Sequence, residues 1–261
     1  MSKIENDLKD ADSYCMFSLY YQGLVKSRGH FENQADIVRT LAHRFSSKEV
    51  RILDAACGTG DVLALLANEF LSISGLDGSP EMLKYALSNK LLEGVPLTCC
   101  RWNNLDSFFS RTGKYDLIYL LGNSIAHTEN LSSFIEILGS ILVNGLSKNG
   151  VLAFDMRDWV WDQEKRHLIQ PNRPIGVEKT LESITVDRSE IAVTETCTYD
   201  PERQYVKYKI IREDRAVECT LSYLMMDVQA AKKFIYQIGF SSVDMPSSIK
   251  PKYPIIIARK A

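Results

Sequence analysis

The run Val50-Arg51-Ile52-Leu53-Asp54-Ala55-Ala56-Cys57-Gly58-Thr59-Gly60 leaves this chain little freedom in how it can fold. The apolar Ile52 and Leu53 read as a buried strand. The small Ala55-Ala56-Cys57 lets backbone rather than side chains meet a ligand, and Gly58 and Gly60 permit a tight turn into a helix. The next apolar run, Leu71 to Leu76, stops at Asp77 and Gly78, about 20 residues beyond the glycines, where a carboxylate can accept hydrogen bonds from both hydroxyls of a ribose.

Around this loop the chain alternates strands and helices. A helical region runs to about Phe45. Then come a strand from Arg51 to Ala56, a helix to Phe70, a strand to Asp77, a helix from Pro80 to Leu92 and a strand from Leu97 to Trp102. The alternation continues with a strand from Tyr115 to Gly122, a helix from about Leu131 to Val143 and a strand from Gly150 to Met156. The near-continuous apolar character of these strands fits a doubly wound α/β sheet covered on both faces. From Gly176 to Met226 the period changes to polar-apolar alternation, as in Tyr205-Val206-Lys207-Tyr208-Lys209-Ile210, which predicts antiparallel strands with one wet face. A last helix, Val228 to Ile238, ends at Gly239 and leads to a closing strand at Tyr253 to Arg259. The expected architecture is one domain over residues 1–261: a Rossmann-like seven-stranded sheet, an N-terminal helical lid over 1–45 and an antiparallel insert over 176–226 capping the carboxyl edge.

The glycine pattern separates two classes of ligand. Dinucleotide sites use G-x-G-x-x-G, which lets a pyrophosphate sit on a helix N-terminus. Here the pattern is Ala56-x-Gly58-x-Gly60 with Asp61 opening the helix, and an acid there repels pyrophosphate. Asp54 adds a second carboxylate, suited to a cationic methionine group, so the loop reads as a site for S-adenosylmethionine, with a nicotinamide site or a purely structural turn as the alternatives. A formal net charge of -2 argues against nucleic acid as the main partner and favours small molecules. The N-terminus is polar, and no apolar run is long enough to span a bilayer, so a cytoplasmic location is expected. Cys15, Cys57, Cys197 and Cys219 are scattered and Cys99-Cys100 are adjacent on a strand, a distribution that reads as reduced thiols without metal or redox spacing.

Candidate acceptor residues follow from the carboxyl edge of the sheet. Strand four ends in Leu121-Gly122-Asn123-Ser124-Ile125-Ala126-His127, where Asn123 is either a turn former or an acceptor contact. Strand five ends in Asp155-Met156-Arg157-Asp158-Trp159, where Arg157 either grips a carboxylate through its planar fork or pairs with Asp155 or Asp158. Trp159 and Trp161 read as core residues. Trp102, following Arg101, is placed to stack on adenine. Tyr14, Phe17, Tyr20 and Tyr21 recur at helical spacing, which suits core packing or an electron-rich wall over a sulfonium.

In chain order these residues resemble the glycine N-methyltransferase family. Tyr21-Gln22-Gly23-Leu24-Val25-Lys26-Ser27-Arg28 is similar to its N-terminal segment, Leu53 to Gly60 to its glycine loop and Met82-Leu83-Lys84-Tyr85-Ala86-Leu87 to its second helix. Leu121-Gly122-Asn123-Ser124 with Ala126-His127 is similar to its acceptor segment. The resemblance implies that Tyr21, Arg28, Met82, Arg101, Leu121 and His127 contact the donor together with Ala56, Gly58, Asp77, Gly78 and Trp102. It also implies that Asn123, Arg157, Tyr21 and Tyr223 serve the acceptor, with Tyr208 nearby. Ser18, Arg101 and Trp159 depart from the family's tryptophan, asparagine and tyrosine at those points, and the N-terminal tail is shorter than the one that helps form the family's tetramer. The expected activity is methylation of the amine of a small amino acid such as glycine or sarcosine, or of a related small amine, by a possible homo-oligomer. Methylation at oxygen or carbon of a larger metabolite and non-catalytic donor binding are the alternatives.

Overall fold

A computed structural model describes residues 17–18, 21, 30–45, 49–159, 179–186, 189–199, 202–212, 215–246 and 253–261. Five parallel strands come first, β1 (Arg51–Asp54), β2 (Ser72–Asp77), β3 (Leu97–Cys99), β4 (Tyr115–Leu120) and β5 (Leu146–Asp155). With β10 (Ser242–Asp244) and β11 (Ile255–Arg259) they form a seven-stranded sheet in the order β10-β11-β5-β4-β1-β2-β3. β11 runs antiparallel to β5, pairing Ile256 with Phe154 and Ala258 with Leu152.

Neighbouring residues in the central strands face opposite layers. Ile52, Leu117, Tyr119, Val151 and Ala153 pack with α1 (His30–Ala42) and α2 (Asp61–Leu66). Leu53, Ile118, Leu120, Leu152 and Phe154 pack on the other face with α4 (Leu105–Thr112), α5 (Leu131–Ser140) and α6 (Val228–Ile238). Two-sided burial of this kind explains why the strands carry continuous apolar runs. Strand order reverses between β1 and β4, and such a switch point opens a crevice at the carboxyl ends of the strands.

Local signals set the remaining helices. α3 (Pro80–Ser88) starts with Pro80 behind Ser79, whose hydroxyl accepts from the Met82 amide at 3.2 Å. Asp227 caps α6 through the Ala230 amide at 2.8 Å, and Gly239, with φ of 114°, ends it. Several elements differ from the sequence expectation: α4 has no counterpart in it, and β5 begins at Leu146 rather than Gly150. β10 was not anticipated, being three residues long and recognisable only by its pairing with β11. The helix after Leu131 gives way at Ile141–Gly145 to a wider π-helical turn, where Lys260 Nζ donates to the Leu142 and Leu146 carbonyls.

The alternating segment forms a second, four-stranded antiparallel sheet of β6 (Lys179–Val186), β7 (Ser189–Tyr199), β8 (Arg203–Arg212) and β9 (Arg215–Leu224). Its Val193, Ile210, Cys219 and Leu221 pack with Phe17 and Met82. Hydrogen bonds tie it to the segment after β4. His127 Nδ1 lies 3.1 Å from the Ser222 carbonyl, and Arg203 donates to the Thr128 carbonyl at 2.8 Å and to that of Glu129. None of the described helices is long and apolar enough to cross a membrane.

Candidate active site

The β1 strand delivers Asp54 to the crevice, and the following loop folds back over it. The Ala56 amide donates to Asp54 Oδ1 at 3.1 Å, and the Cys57 amide donates to the Leu76 carbonyl at 2.9 Å. Gly58 sits at φ of 52° and Gly60 at φ of 78°, the left-handed region that glycine enters without penalty. The two glycines do different work. A Cβ on Gly58 would meet nothing within 4 Å, so this backbone borders open space. A Cβ on Gly60 would stand 2.5 Å from Leu92 Cδ1 and 3.1 Å from Ala86 Cβ, so Gly60 permits close packing under α3.

Asp77, at the end of β2, accepts from the Gly58 amide at 2.8 Å through Oδ2 and from the Ser79 amide at 2.8 Å through Oδ1. Burial pushes its carboxyl above the ordinary range, and the two amides oppose that shift. Each oxygen retains a lone pair, so the group remains able to accept from two vicinal hydroxyls. On the other side of β1 lies a pocket lined by Tyr21, Phe31, Gln34, Asp54, Ala56 to Thr59, Asp61, Val62, Tyr119 and Leu121. Burial pushes Asp54 up to about 7, against the Ala56 amide and the Tyr119 hydroxyl, with the charge of Asp77 adding to the rise. Its acidic lining suits a cation. A ribose diol suits Asp77 and a charged amino-acid arm suits this pocket, two groups that S-adenosylmethionine carries on either side of its sulfonium, and the Gly58 backbone borders both residues.

The acceptor candidates gather at the ends of β4 and β5. Gly122 and Asn123 both take left-handed conformations, φ of 81° and 61°, and turn the chain sharply after Leu121. The Asn123 amide donates to Asp155 Oδ1 at 2.6 Å, and its Oδ1 accepts from the Arg157 amide at 2.9 Å. Asn123 is therefore a turn former that also cross-links two strand ends. Arg157 donates from one terminal nitrogen to Gln204 Oε1 at 2.8 Å and from the other to Tyr253 Oη at 3.4 Å, and its guanidinium lies 5.0 Å from the Trp159 ring centre. Gln204 and Tyr253 escaped the sequence reading. Gln204 is 2% exposed and shares the inward face of β8 with Val206 and Ile210. A lone amide on an otherwise apolar face was the available signal.

Tyr21 connects the two halves. A Cβ on Gly122 would lie 3.5 Å from its hydroxyl, and burial raises its pKa, with Tyr223, Asp155, Asp61 and Asp54 adding electrostatically. Phe17 packs on Tyr21 at 5.8 Å and on Tyr208 at 4.9 Å, and Tyr223 lies 4.6 Å from His127. Burial lowers the His127 pKa to about 4, so at neutral pH its Nδ1 carries the proton donated to the Ser222 carbonyl. Trp102 is pinned by a 2.7 Å hydrogen bond from Nε1 to the Ala55 carbonyl, and the Arg101 Cγ lies 3.4 Å from the position of a Cβ on Gly78. Met82 is 3% exposed and packs against the second sheet, apart from the pocket lining. Trp159 is core, as the sequence reads. Arg28, Tyr14, Tyr20, Cys15 and Trp161 lie outside the described residues. Among the described residues no cluster of His, Cys, Asp and Glu could hold a metal ion.

The strand order, with the glycine loop after β1 and the acid ending β2, is that of the class I S-adenosylmethionine-dependent methyltransferase fold. Residues 53–151 match a methyltransferase domain family, and the chain resembles glycine N-methyltransferases. It is 36% identical over 113 residues to a glycine/sarcosine N-methyltransferase of Halorhodospira halochloris, covering 42% of this chain and 40% of that protein. It is also 36% identical over 126 residues to human glycine N-methyltransferase, covering 40% and 43%. The match thus spans about two fifths of the length of these relatives. Among solved structures, the amino pentose methyltransferase CalS10 of Micromonospora echinaspora shares the fold with a TM-score of 0.72 at 17% identity, over 92% of this chain and 96% of that one.

Proposed function

We propose that this protein methylates the amine of a small amino acid such as glycine or sarcosine, or of a related small amine, using S-adenosylmethionine. The observation that carries this reading is the place of Tyr21, which lines the donor pocket, lies beside Gly122 and interacts with Tyr223 and Asp155, while Asn123 joins the end of β4 to the Arg157 amide after β5. The similarity to glycine/sarcosine N-methyltransferases supports it.

Bound S-adenosylmethionine supplies a methyl group already activated by a sulfonium. The protein has chiefly to orient a neutral amine. Asp77 holds the ribose and Asp54 faces the charged arm, while Arg157 fixes the acceptor carboxylate. Asn123 and the Tyr21 hydroxyl orient the amine, and the aromatic cluster of Phe17, Tyr21, Tyr208 and Tyr223 keeps water out. No side chain need act as base, because the amine loses its proton to solvent before binding, so activity rises on the alkaline side. His127 titrates too low to shape that rise. Screening amino acids and small amines for release of S-adenosylhomocysteine tests the assignment. Turnover of glycine, sarcosine or another small amine supports it, whereas turnover confined to oxygen or carbon acceptors, or none on any acceptor, overturns it.

A second reading has one observation in its favour. Two N–H groups of the Arg157 fork are already shared with the neutral acceptors Gln204 and Tyr253. That arrangement also suits an amine on a hydroxyl-rich ring, the kind of substrate named for the amino pentose methyltransferase, and amino sugars belong in the same screen.

A further inference from the structure

Tyr119 is a tyrosine where a central strand needs only an apolar residue. It stands in β4 on the same face as Leu117 and Leu121, is 1% exposed, and its hydroxyl is buried without a hydrogen-bond partner of ordinary geometry. Leaving a hydroxyl in that state costs about 1–3 kcal/mol, so the group calls for an explanation beyond packing. The same side chain lines the pocket beside Asp54, itself 4% exposed, with which it interacts.

We infer that Tyr119 is a positioning residue for the charged arm of the donor: its hydroxyl donates to Asp54 once the incoming α-ammonium group has drawn that carboxyl into its ionised form. This rests on the donor reading of the pocket. Before binding, burial keeps part of the Asp54 population protonated at neutral pH, and the Tyr119 hydroxyl lies by that carboxyl without a hydrogen bond of ordinary geometry. The arriving cation releases the Asp54 proton to solvent, and the resulting carboxylate sits between the ammonium group and the Tyr119 O–H. The groups facing Asp54 are Asp77 from β2, Tyr119 from β4, Cys57 from the loop and Tyr21 from the N-terminal segment, with Asp61 of α2 in the same pocket. The described lining includes no lysine or arginine. The hydroxyl of Tyr119 is thus a neutral donor at the side of Asp54, beyond the Ala56 amide.

The test compares two probes on the whole chain, S-adenosylhomocysteine, which carries the arm, and 5′-methylthioadenosine, which lacks it. Tyr119→Phe should weaken S-adenosylhomocysteine about tenfold, in line with losing a hydrogen bond to a charged group. It should leave 5′-methylthioadenosine within about twofold and move the pH at which S-adenosylhomocysteine binding is half-maximal upward. The melting temperature should fall little, since no hydrogen bond of ordinary geometry is lost from the unliganded chain. Unchanged affinity for S-adenosylhomocysteine, or equal losses on both probes, overturns the assignment while the donor reading stands. A wild-type chain that binds neither probe overturns the donor reading and this inference with it.

Discussion

Gly58 and Gly60 stand two residues apart in one loop, yet alanine should harm them in different ways. Both occupy left-handed backbone, so each substitution costs about 1–2 kcal/mol in conformational strain. At Gly58 the new methyl meets nothing within 4 Å, and strain is the whole cost to folding. At Gly60 the methyl would stand 2.5 Å from Leu92 Cδ1 and 3.1 Å from Ala86 Cβ. Overpacking of this kind adds about 1–3 kcal/mol, for a total of about 2–5 kcal/mol. For a chain of this size each kcal/mol lowers the melting temperature by about 2–4 °C, so Gly60→Ala should melt several degrees below Gly58→Ala. Ligand binding should reverse the order. The space a Gly58 methyl enters is the space assigned to the donor, and calorimetric titration with S-adenosylhomocysteine should show a loss of about tenfold or more for Gly58→Ala. Wild-type affinity in Gly58→Ala would show that the open space is not the ligand's. Equal melting temperatures in the two variants would refute the packing argument at Gly60.

Asp54 gives a pH-dependent test. Its folded pKa of about 7 exceeds an unfolded value of about 3.9, so the folded chain holds the extra proton between them and loses stability as pH rises from about 4 to 7. The span corresponds to at most about 4 kcal/mol. Asp54→Asn should flatten the melting-temperature profile over that window and weaken donor binding, and an unchanged slope would contradict the burial argument. Arg157→Ala should raise the acceptor KM at least about tenfold while leaving donor affinity within about twofold. A KM unchanged within error in steady-state assays would show that Arg157 does not hold a carboxylate. Trp102→Phe removes the donor to the Ala55 carbonyl and should cost about 1–2 kcal/mol in chemical unfolding. No loss would mean that water replaces the indole.

The loop and the sheet were legible because their physics is local. A two-residue glycine spacing, an acid closing the next strand and apolar runs without alternation each follow from neighbours in sequence. The expected end of α6 at Gly239 likewise needed only a residue able to take φ of 114°. What stayed hidden depends on partners far along the chain. β10 exists through its pairing with β11, the indole of Trp102 reaches back 47 residues to Ala55, and Met82 turns toward a sheet that begins almost a hundred positions later. Tyr119 passed as an ordinary core residue because its ring satisfies the apolar pattern and only its oxygen does not. Gln204 was overlooked inside an alternating strand for the opposite reason, a polar group on the face that should have been dry.

The distribution of contacts along the chain also bears on how such a protein changes its substrate. The acids and glycines assigned to the donor fall between Asp54 and Gly78, within the stretch that matches the methyltransferase family, and that match ends at residue 151. Arg157, Gln204, Tyr223 and Tyr253 all come later, and three of them sit on the second sheet or beyond it. On the proposed roles, replacing side chains on β8 and β9 changes what surrounds Arg157 and His127 while the loop from Asp54 to Gly78 stays as it is. On this arrangement new specificities arise by editing one half of the polypeptide, without rebuilding the half that every such reaction has in common.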